Sequence, residues 1–413
     1  MRNGVFLGLF FLTFCSLALR AETEFPPDYK LHADPALSLR DVVDAALSRS
    51  PDRLMIKSRQ EIAIALKRKS SSFFSDSPEI AISHQNDSLG SNQGLREWEG
   101  SLNMPLWLPG EKSANRRKAR MSQAEADAYK ALMTWQVAGE VRQILWNIKL
   151  AEATVRENRK SLEMARSLDR NMKKQIAAGN LPGRDALLSR QETMSREMAL
   201  ITARSEYFHA GQIYQKYTGL DRIPADFTEQ MVERETGENL PLINLADARV
   251  DYLQAEFREI TSRWNSPPTL SLGVRRERGA YQDRNIDSVS LGLSFPLGGR
   301  VHAAPKRAAA AVALADAERQ RELTRRSQSL QLHEAHHEYE TCHAQLLLAE
   351  EHFSLAGENL RLGQKSYELG ESDMRDFLRI REQYFDSSRE IVTQKIKCQR
   401  AVARHNQVKG ILP

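Results

Sequence analysis

Ser288-Val-Ser-Leu-Gly-Leu-Ser-Phe-Pro-Leu297 decides the fold. In an extended chain, Val289, Leu291, Leu293 and Phe295 fall on one side and Ser288, Ser290, Gly292 and Ser294 on the other. Strict alternation over eight residues reads as a β-strand. Pro296 closes it, because proline has no amide hydrogen to give to a ladder. One apolar face backed by a small, polar one suits a strand that borders lipid. A half-buried strand of a soluble sheet is the other reading of the same alternation. Thr269 to Arg276 alternates as well, and the polar span from about Glu277 to Asp287 makes the two a β-hairpin.

The same plan occurs earlier in the chain. Met104-Pro105-Leu106 matches Phe295-Pro296-Leu297, from 104 to 295, an offset of 191 residues. Gly179-Asn-Leu-Pro-Gly-Arg-Asp185-Ala-Leu-Leu matches Gly370-Glu-Ser-Asp-Met-Arg-Asp376-Phe-Leu-Arg, from 179 to 370, again 191. Pro78-Glu-Ile-Ala-Ile82 matches Pro268-Thr-Leu-Ser-Leu272 within one residue of that offset. Three landmarks in one order at one spacing mark a duplication. The first hairpin is Glu79 to Gln85 and Glu97 to Met104 around the loop from Asn86 to Arg96. A helix is expected before each hairpin, from Leu37 to about Ser71 and from Leu245 to about Asn265.

After Pro105 and Pro296 the pattern turns helical. Glu111 to about Ala178 and Val301 to about Leu369 carry no proline except Pro305. Each would be roughly 100 Å long at 1.5 Å per residue, which implies a coiled coil or a helical tube. Leu332, Tyr339, Leu346, Phe353, Leu360 and Tyr367 recur every seven residues, followed three positions on by Ala335, Cys342, Ala349, Ala356 and Gly363. Large and small residues thus alternate along one seam. The return helices carry stripes of their own, Leu187, Met194, Ile201 and Phe208 in one and Phe377, Tyr384, Ile391 and Cys398 in the other. Gly179 and Gly370 stand where the long helices must turn back. Asp185 and Asp376 follow at the start of the return helices, where a carboxylate meets the helix dipole favourably.

This order of elements resembles the TolC-like outer membrane factors, and the likeness covers nearly the whole chain. It also rests on Leu37-Ser-Leu-Arg-Asp-Val-Val-Asp-Ala-Ala-Leu47 with Ser50-Pro51, and on Tyr367-Glu-Leu-Gly370 with Asp376 and Leu378. Gly273-Val-Arg-Arg-Glu-Arg-Gly279 and Ser294-Phe-Pro-Leu-Gly-Gly299 resemble the CzcC-type cation-efflux branch. The resemblance implies a mainly α-helical protein with membrane β-structure. Three copies would share a 12-stranded β-barrel, continued by an α-helical barrel in the periplasm. The tips around Gly179, Asp185, Gly370 and Asp376 would form the aperture and meet a periplasmic adaptor, which links the duct to an inner-membrane pump. Copy one departs from the usual tip by carrying Pro182 and Gly183. The chain divides into a first repeat, 22–219, a linker, 220–244, and a second repeat, 245–413. Four strands alone would leave bare edges in lipid, so closure requires more than one copy.

The N-terminus agrees with export. Arg2 precedes the apolar run Val5 to Leu19, and cleavage is expected after Ala18 or Ala21, giving a secretory signal peptide over residues 1–21. Bulky Phe14 before Cys15 argues against lipidation. No other segment reaches the roughly 18 uninterrupted apolar residues that a spanning helix needs, so entry into a membrane would be by closed β-structure. Fifty-nine basic against 54 acidic residues, a net charge of +5 spread along the chain, give no argument for nucleic acid.

Two constellations suggest chemistry. His333-Glu334-Ala335-His336-His337 matches the HExxH pattern of zinc peptidases. With Leu332 on the seam, His333 and His337 point outward, and no third ligand follows. The reading is therefore no enzyme, no cofactor and no dedicated metal site, with His333 and His337, beside His336 and His343, the nearest candidates for loose metal binding. Cys342 and Cys398 each lie 28 residues from Gly370 and would sit at one height in an antiparallel hairpin. In an oxidising periplasm they are candidates for a disulfide, two buried thiols being the alternative. An exported coiled-coil scaffold without a pore would explain the heptads but not the hairpins.

Overall fold

The structure is a computed structural model that describes residues 29–178, 183–232, 240–262, 267–297 and 299–413. The expected signal peptide, Gly179 and Pro182 lie outside the described residues. The chain runs β1 (His32–Asp34), α1 (Leu39–Arg49), α2 (Asp52–Ser71), β2 (Glu79–Asn86), β3 (Arg96–Pro105), α3 (Glu111–Ala177) and α4 (Gly183–Thr218). It continues with β4 (Arg222–Pro224), α5 (Pro241–Ser262), β5 (Thr269–Arg278), β6 (Ile286–Ser294), α6 (Gly299–Glu368) and α7 (Met374–Val408).

The helix expected from Leu37 to Ser71 is two helices. Ser50, ahead of Pro51, takes an extended backbone (φ −62°, ψ 136°), as the proline ring disfavours helical geometry in the residue before it. Ser38 caps α1 through a reciprocal box, accepting from the Asp41 amide while Asp41 accepts from the Ser38 amide. Pro305 sits in the second turn of α6, near enough to the start to cost few helical hydrogen bonds.

α3 and α4 form one coiled-coil hairpin and α6 and α7 the other, and α3 packs on α7 to join them. The helices therefore lie side by side in the order α4, α3, α7, α6. Along α6 the small column does the packing: Ala335, Cys342, Ala349 and Ala356 are buried, while Leu332, Leu346, Phe353 and Leu360 are only half-buried. A Cβ on Gly363 would lie 2.7 Å from Cδ1 and 3.3 Å from Cγ2 of Ile380, so a side chain there would have to displace that isoleucine. On α3 the same seam recurs 191 residues before Leu332, Tyr339 and Phe353, as Val141, Ile148 and Leu162, and all three are buried. Asp169, where that seam turns polar, accepts from Lys173 Nζ at 2.7 Å and Ser189 Oγ at 3.3 Å.

The two outermost helices keep apolar stripes in the open. Leu187, Met194 and Ile201 on α4 are exposed, so this stripe does not face α3. Leu348, Leu355 and Leu362, every seventh residue of α6, are exposed as well, and so is Leu369 just past its end. A heptad repeat tells that a face is apolar, not which neighbour covers it.

The main core lies where α1, α3 and α4 meet, around Val42, Val141, Leu145, Ile148 and Tyr214. Trp146, Ala153, Ile396 and Ala403 with Phe227 tie the first repeat to the second. Nearby, buried Arg142 grips Glu229 through Nε (2.7 Å) and Nη2 (2.8 Å) and the Ile411 carbonyl at 3.0 Å. This anchors the segment after β4, and with it part of the 220–244 stretch, to α3 and the end of the chain.

Candidate functional site

Two regions carry the features a duct would need, a four-stranded sheet at one end of the long helices and the hairpin tips at the other. The sheet has the order β2-β3-β5-β6, antiparallel throughout, and its outer strands each have one unpaired edge. Register aligns the side chains in rows. Ile80, Leu102, Leu272 and Leu291 form one row across all four strands, and Ile82, Gly100, Val274 and Val289 form the next. Ile80 is 73% exposed, Ile82 75%, Leu291 73% and Val289 82%. An apolar surface of that size on a soluble domain would be covered. The opposite face is polar or small in every row: Ala81, Ser101, Gly273 and Ser290, then Ser83, Glu99, Arg275 and Ser288.

The apolar band ends at a row of His84, Trp98, Arg276 and Asp287. The His84 ring stacks on Trp98 with centroids 4.1 Å apart, and Arg276 holds Asp287 by two hydrogen bonds, 2.6 and 2.8 Å. An amphipathic aromatic followed by charge is the composition of a membrane–water boundary. Beyond it the two hairpin loops interlock. The Tyr281 amide donates to the Gln93 carbonyl at 3.0 Å and its hydroxyl to Asn92 Oδ1 at 2.8 Å. Gly94, with φ +102°, must be glycine, since a Cβ would lie 2.4 Å from the Tyr281 nitrogen.

At the far end a cleft of about 950 Å³ opens between the two tips, lined by Arg184 and Asp185 on one side and Tyr367, Gly370 and Asp373 on the other. Gly370 takes φ +74°, and the Glu371 amide reaches the Ser366 carbonyl at 2.9 Å, which closes α6 in a Schellman turn. Tyr367 stacks on Phe377 at 5.0 Å and its hydroxyl donates to Met172 Sδ at 3.4 Å, bridging the hairpins. Burial and, second, the Asp185 charge push the Tyr367 hydroxyl above its ordinary pKa. Asp185 thus stands within the electrostatic reach of Tyr367 and shares the cleft with Gly370.

Asp376 is exposed in the first turn of α7, but the cap is Asp373, which accepts from the Asp376 amide at 2.9 Å. That bond holds the Asp373 carboxyl below the usual range. The sequence signal for this cap was present, an aspartate three residues before a second aspartate ahead of an apolar run. Higher up, Arg381 is buried beneath Phe377 and Phe385, with its guanidinium 5.7 and 5.6 Å from their rings. Nothing in the one-dimensional pattern marks it, since arginine at a heptad position normally points outward.

Cys342 and Cys398 are joined by a disulfide, with S–S 1.97 Å and Cα–Cα 5.4 Å. Gln394 lies beside it and donates to the Cys342 carbonyl at 3.3 Å and to Gln345 Oε1 at 3.1 Å. His333 and His337 are exposed on α6. His336 meets Glu340 at 3.2 Å, and its ring lies 6.1 Å from that of His405. Among the described residues no three His, Cys, Asp or Glu side chains are placed to hold a metal ion, and no helix is long and apolar enough to cross a membrane.

No model of a known protein family matches the chain. Among curated proteins it is similar to the cobalt-zinc-cadmium resistance protein CzcC of Cupriavidus metallidurans, with 24% identity over 219 residues, 50% of this chain and 52% of that protein. The chain thus spans about half the length of the curated relative it matches. Among solved structures it is similar to the outer membrane protein VceC of Vibrio cholerae, with a TM-score of 0.72, 14% identity, and coverage of 90% of this chain and 96% of that one. It is also similar to CusC, studied for the conformational changes of folding and transmembrane channel formation, with a TM-score of 0.73, 15% identity and coverage of 93% and 99%. The fold is that of the TolC-like outer-membrane channels.

Proposed function

We propose that this chain is one subunit of an outer-membrane exit duct, through which substrates delivered from the inner membrane leave the cell without chemical change. The observation that carries the reading is the four-stranded sheet. It has one exposed apolar face, one polar face and two unpaired edges, and it is continuous with coiled-coil hairpins of 67 and 70 residues in their long arms. A sheet edge has no partner in hydrocarbon except another strand. Three copies would supply 12 strands, within the range of membrane barrels. The exposed leucines of α6 and the exposed stripe of α4 lie on opposite flanks of each subunit. They would meet between neighbours in a closed ring.

The tip cleft is the docking point for a periplasmic adaptor, and the adaptor couples the duct to an inner-membrane pump. Divalent metal cations are the cargo class that the likeness to CzcC favours. A passive duct needs no catalytic group, and the HExxH segment serves as solvated helix surface. Deleting the gene should sensitise the cell to cobalt, zinc or cadmium, and the plasmid-borne chain should restore resistance only alongside its pump. Unchanged tolerance to all three metals would remove the cargo assignment.

A further inference from the structure

The two hairpin loops close over a cavity of about 310 Å³, lined by Asn86, Asn92, Arg96, Trp98, Arg278 and Tyr281. We propose that this cavity holds the phosphorylated sugar headgroup of a glycolipid in the outer leaflet, with Arg96 and Arg278 as the phosphate ligands. The inference rests on the duct reading above, which puts the loops at the outer surface of the membrane.

Alternation decides which way the two arginines face. Register aligns Asn86, Arg96 and Arg278 in the row after His84, Trp98 and Arg276. They therefore share a face with the apolar band of Ile80, Ile82, Leu291 and Val289. The step from one row to the next is two residues, about 7 Å along a strand. The arginines thus stand just beyond the aromatic row, at the height of lipid headgroups.

Charge is sorted between the two faces at this end of the sheet. The lipid side carries Arg96, Arg276 and Arg278 against Asp287, and the lumen side carries Glu97, Glu99 and Glu277 against Arg275. Each lone opposite charge is already taken, Asp287 by Arg276 and Arg275 by Glu97, at 2.8 Å, and by Glu277. Among the described residues Arg96 and Arg278 have no carboxylate partner. Arg278 donates through Nε to the Gly94 carbonyl at 3.4 Å, and its guanidinium lies 5.7 Å from the Tyr281 ring. A cationic excess on the lipid side, with the acids kept on the water side, suits an anionic lipid surface.

The cavity is shaped before any ligand arrives. Asp87 is its one acid, and it accepts from the Gln93 amide at 2.5 Å, the Gly94 amide at 3.2 Å and Ser91 Oγ at 2.9 Å. Its oxygens are committed to fixing the loop. Trp98 and Tyr281 are exposed, and such rings offer an apolar face beside a polar edge, as a sugar ring requires. Guanidinium groups take phosphate through paired hydrogen bonds. A sugar phosphate tethered to acyl chains would use the arginines, the rings and the apolar band below them together. Free phosphate would use the arginines alone.

The test titrates the full-length trimer in mild detergent with bisphosphorylated lipid A, with the same lipid stripped of its phosphates, and with inorganic phosphate, and counts bound lipid by native mass spectrometry. Bisphosphorylated lipid A should bind saturably, the stripped lipid should bind far more weakly, and equimolar inorganic phosphate should displace neither. Arg96→Gln with Arg278→Gln should weaken binding about thirtyfold, from about fivefold for each basic side chain at an anionic surface. Arg284→Gln, on the β5–β6 loop but outside the cavity, should leave binding unchanged. Equal binding of the two lipids by the wild type would overturn the proposal, and this comparison stands even where the double variant fails to assemble. Unchanged binding in R96Q/R278Q, or an equal loss in R284Q, would overturn it too. Displacement by equimolar phosphate would reduce the cavity to a generic anion site and overturn the headgroup assignment. A wild-type chain that forms no trimer in the outer-membrane fraction would overturn the duct reading instead.

Discussion

Cys342 on α6 and Cys398 on α7 are bonded to each other, and each stands 28 residues from the turn at Gly370. The bond pins the vertical register of the second hairpin at one height. At the equivalent positions of the first hairpin, 191 residues earlier, stand Ala151 and Tyr207. Only the second hairpin is clamped, so any movement of its tip must bend or swing the arms below the bond rather than slide them.

Removing the clamp should be costly. The disulfide closes a sequence separation of 56 residues, for which chain entropy gives about 4 kcal/mol, with about 2–4 kcal/mol typical in practice. Cys342→Ser with Cys398→Ser should lower stability by that order in denaturant unfolding at fixed detergent. Peptide maps of the wild type should show the bonded pair before reduction and two labelled thiols after it.

Position on the sheet should decide tolerance. Leu291→Arg places a charge on the apolar face and should cost about 2–4 kcal/mol if that face meets the bilayer midplane. Ser290→Arg, one residue away on the polar face, should assemble nearly normally. Heat-resistant oligomer on gels measures both, and equal effects of the two would count against a lipid-facing band.

Helix spacing in the clamped hairpin depends on small residues. Ala349→Leu inserts three carbons into a buried site and should destabilise by about 1–3 kcal/mol. Leu355→Gln, on the exposed stripe, should leave the subunit fold intact and weaken association instead. Circular dichroism melts report the first, and native mass the second.

The tip cap is a smaller term. Asp373→Ala removes the acceptor for the Asp376 amide and should cost about 1 kcal/mol. Hydrogen exchange should rise at the first turn of α7, residues 374–377, and stay unchanged around Cys398.

His405 sets a pH dependence. Burial, then the charges of Lys409 and His336, lower its pKa below the ordinary 6.5. The unfolded chain therefore takes up a proton more readily than the folded one, so stability should fall as pH drops below about 6.5 and level off once the folded imidazole is protonated. Thermal unfolding between pH 7.5 and 5 should show this fall in the wild type and a shallower one in His405→Gln.

Much of the architecture was legible in the sequence because it depends on short-range periodicity. The alternation around Leu291, the prolines at 105 and 296 and the 191-residue offset placed the hairpins and long helices close to where they lie. Which apolar stripe meets which helix was not legible. Leu187, Met194 and Ile201 repeat as regularly as Ala335, Cys342 and Ala349, yet the first set is exposed and the second buried. That distinction is a property of the neighbours. The choice of Asp373 over Asp376 as cap turns on one backbone angle, and the burial of Arg381 on two phenylalanines reached through the fold. The first tip, at Gly179 and Pro182, lies outside the described residues.

The central claim is that copies of this chain close into an outer-membrane duct. Its most direct test is the native mass of the mature protein extracted from purified outer membranes in mild detergent. A particle of three subunits, confined to that fraction, is the predicted result. A detergent-independent monomer or dimer in the periplasmic fraction would contradict the barrel and leave the chain as an exported coiled-coil scaffold.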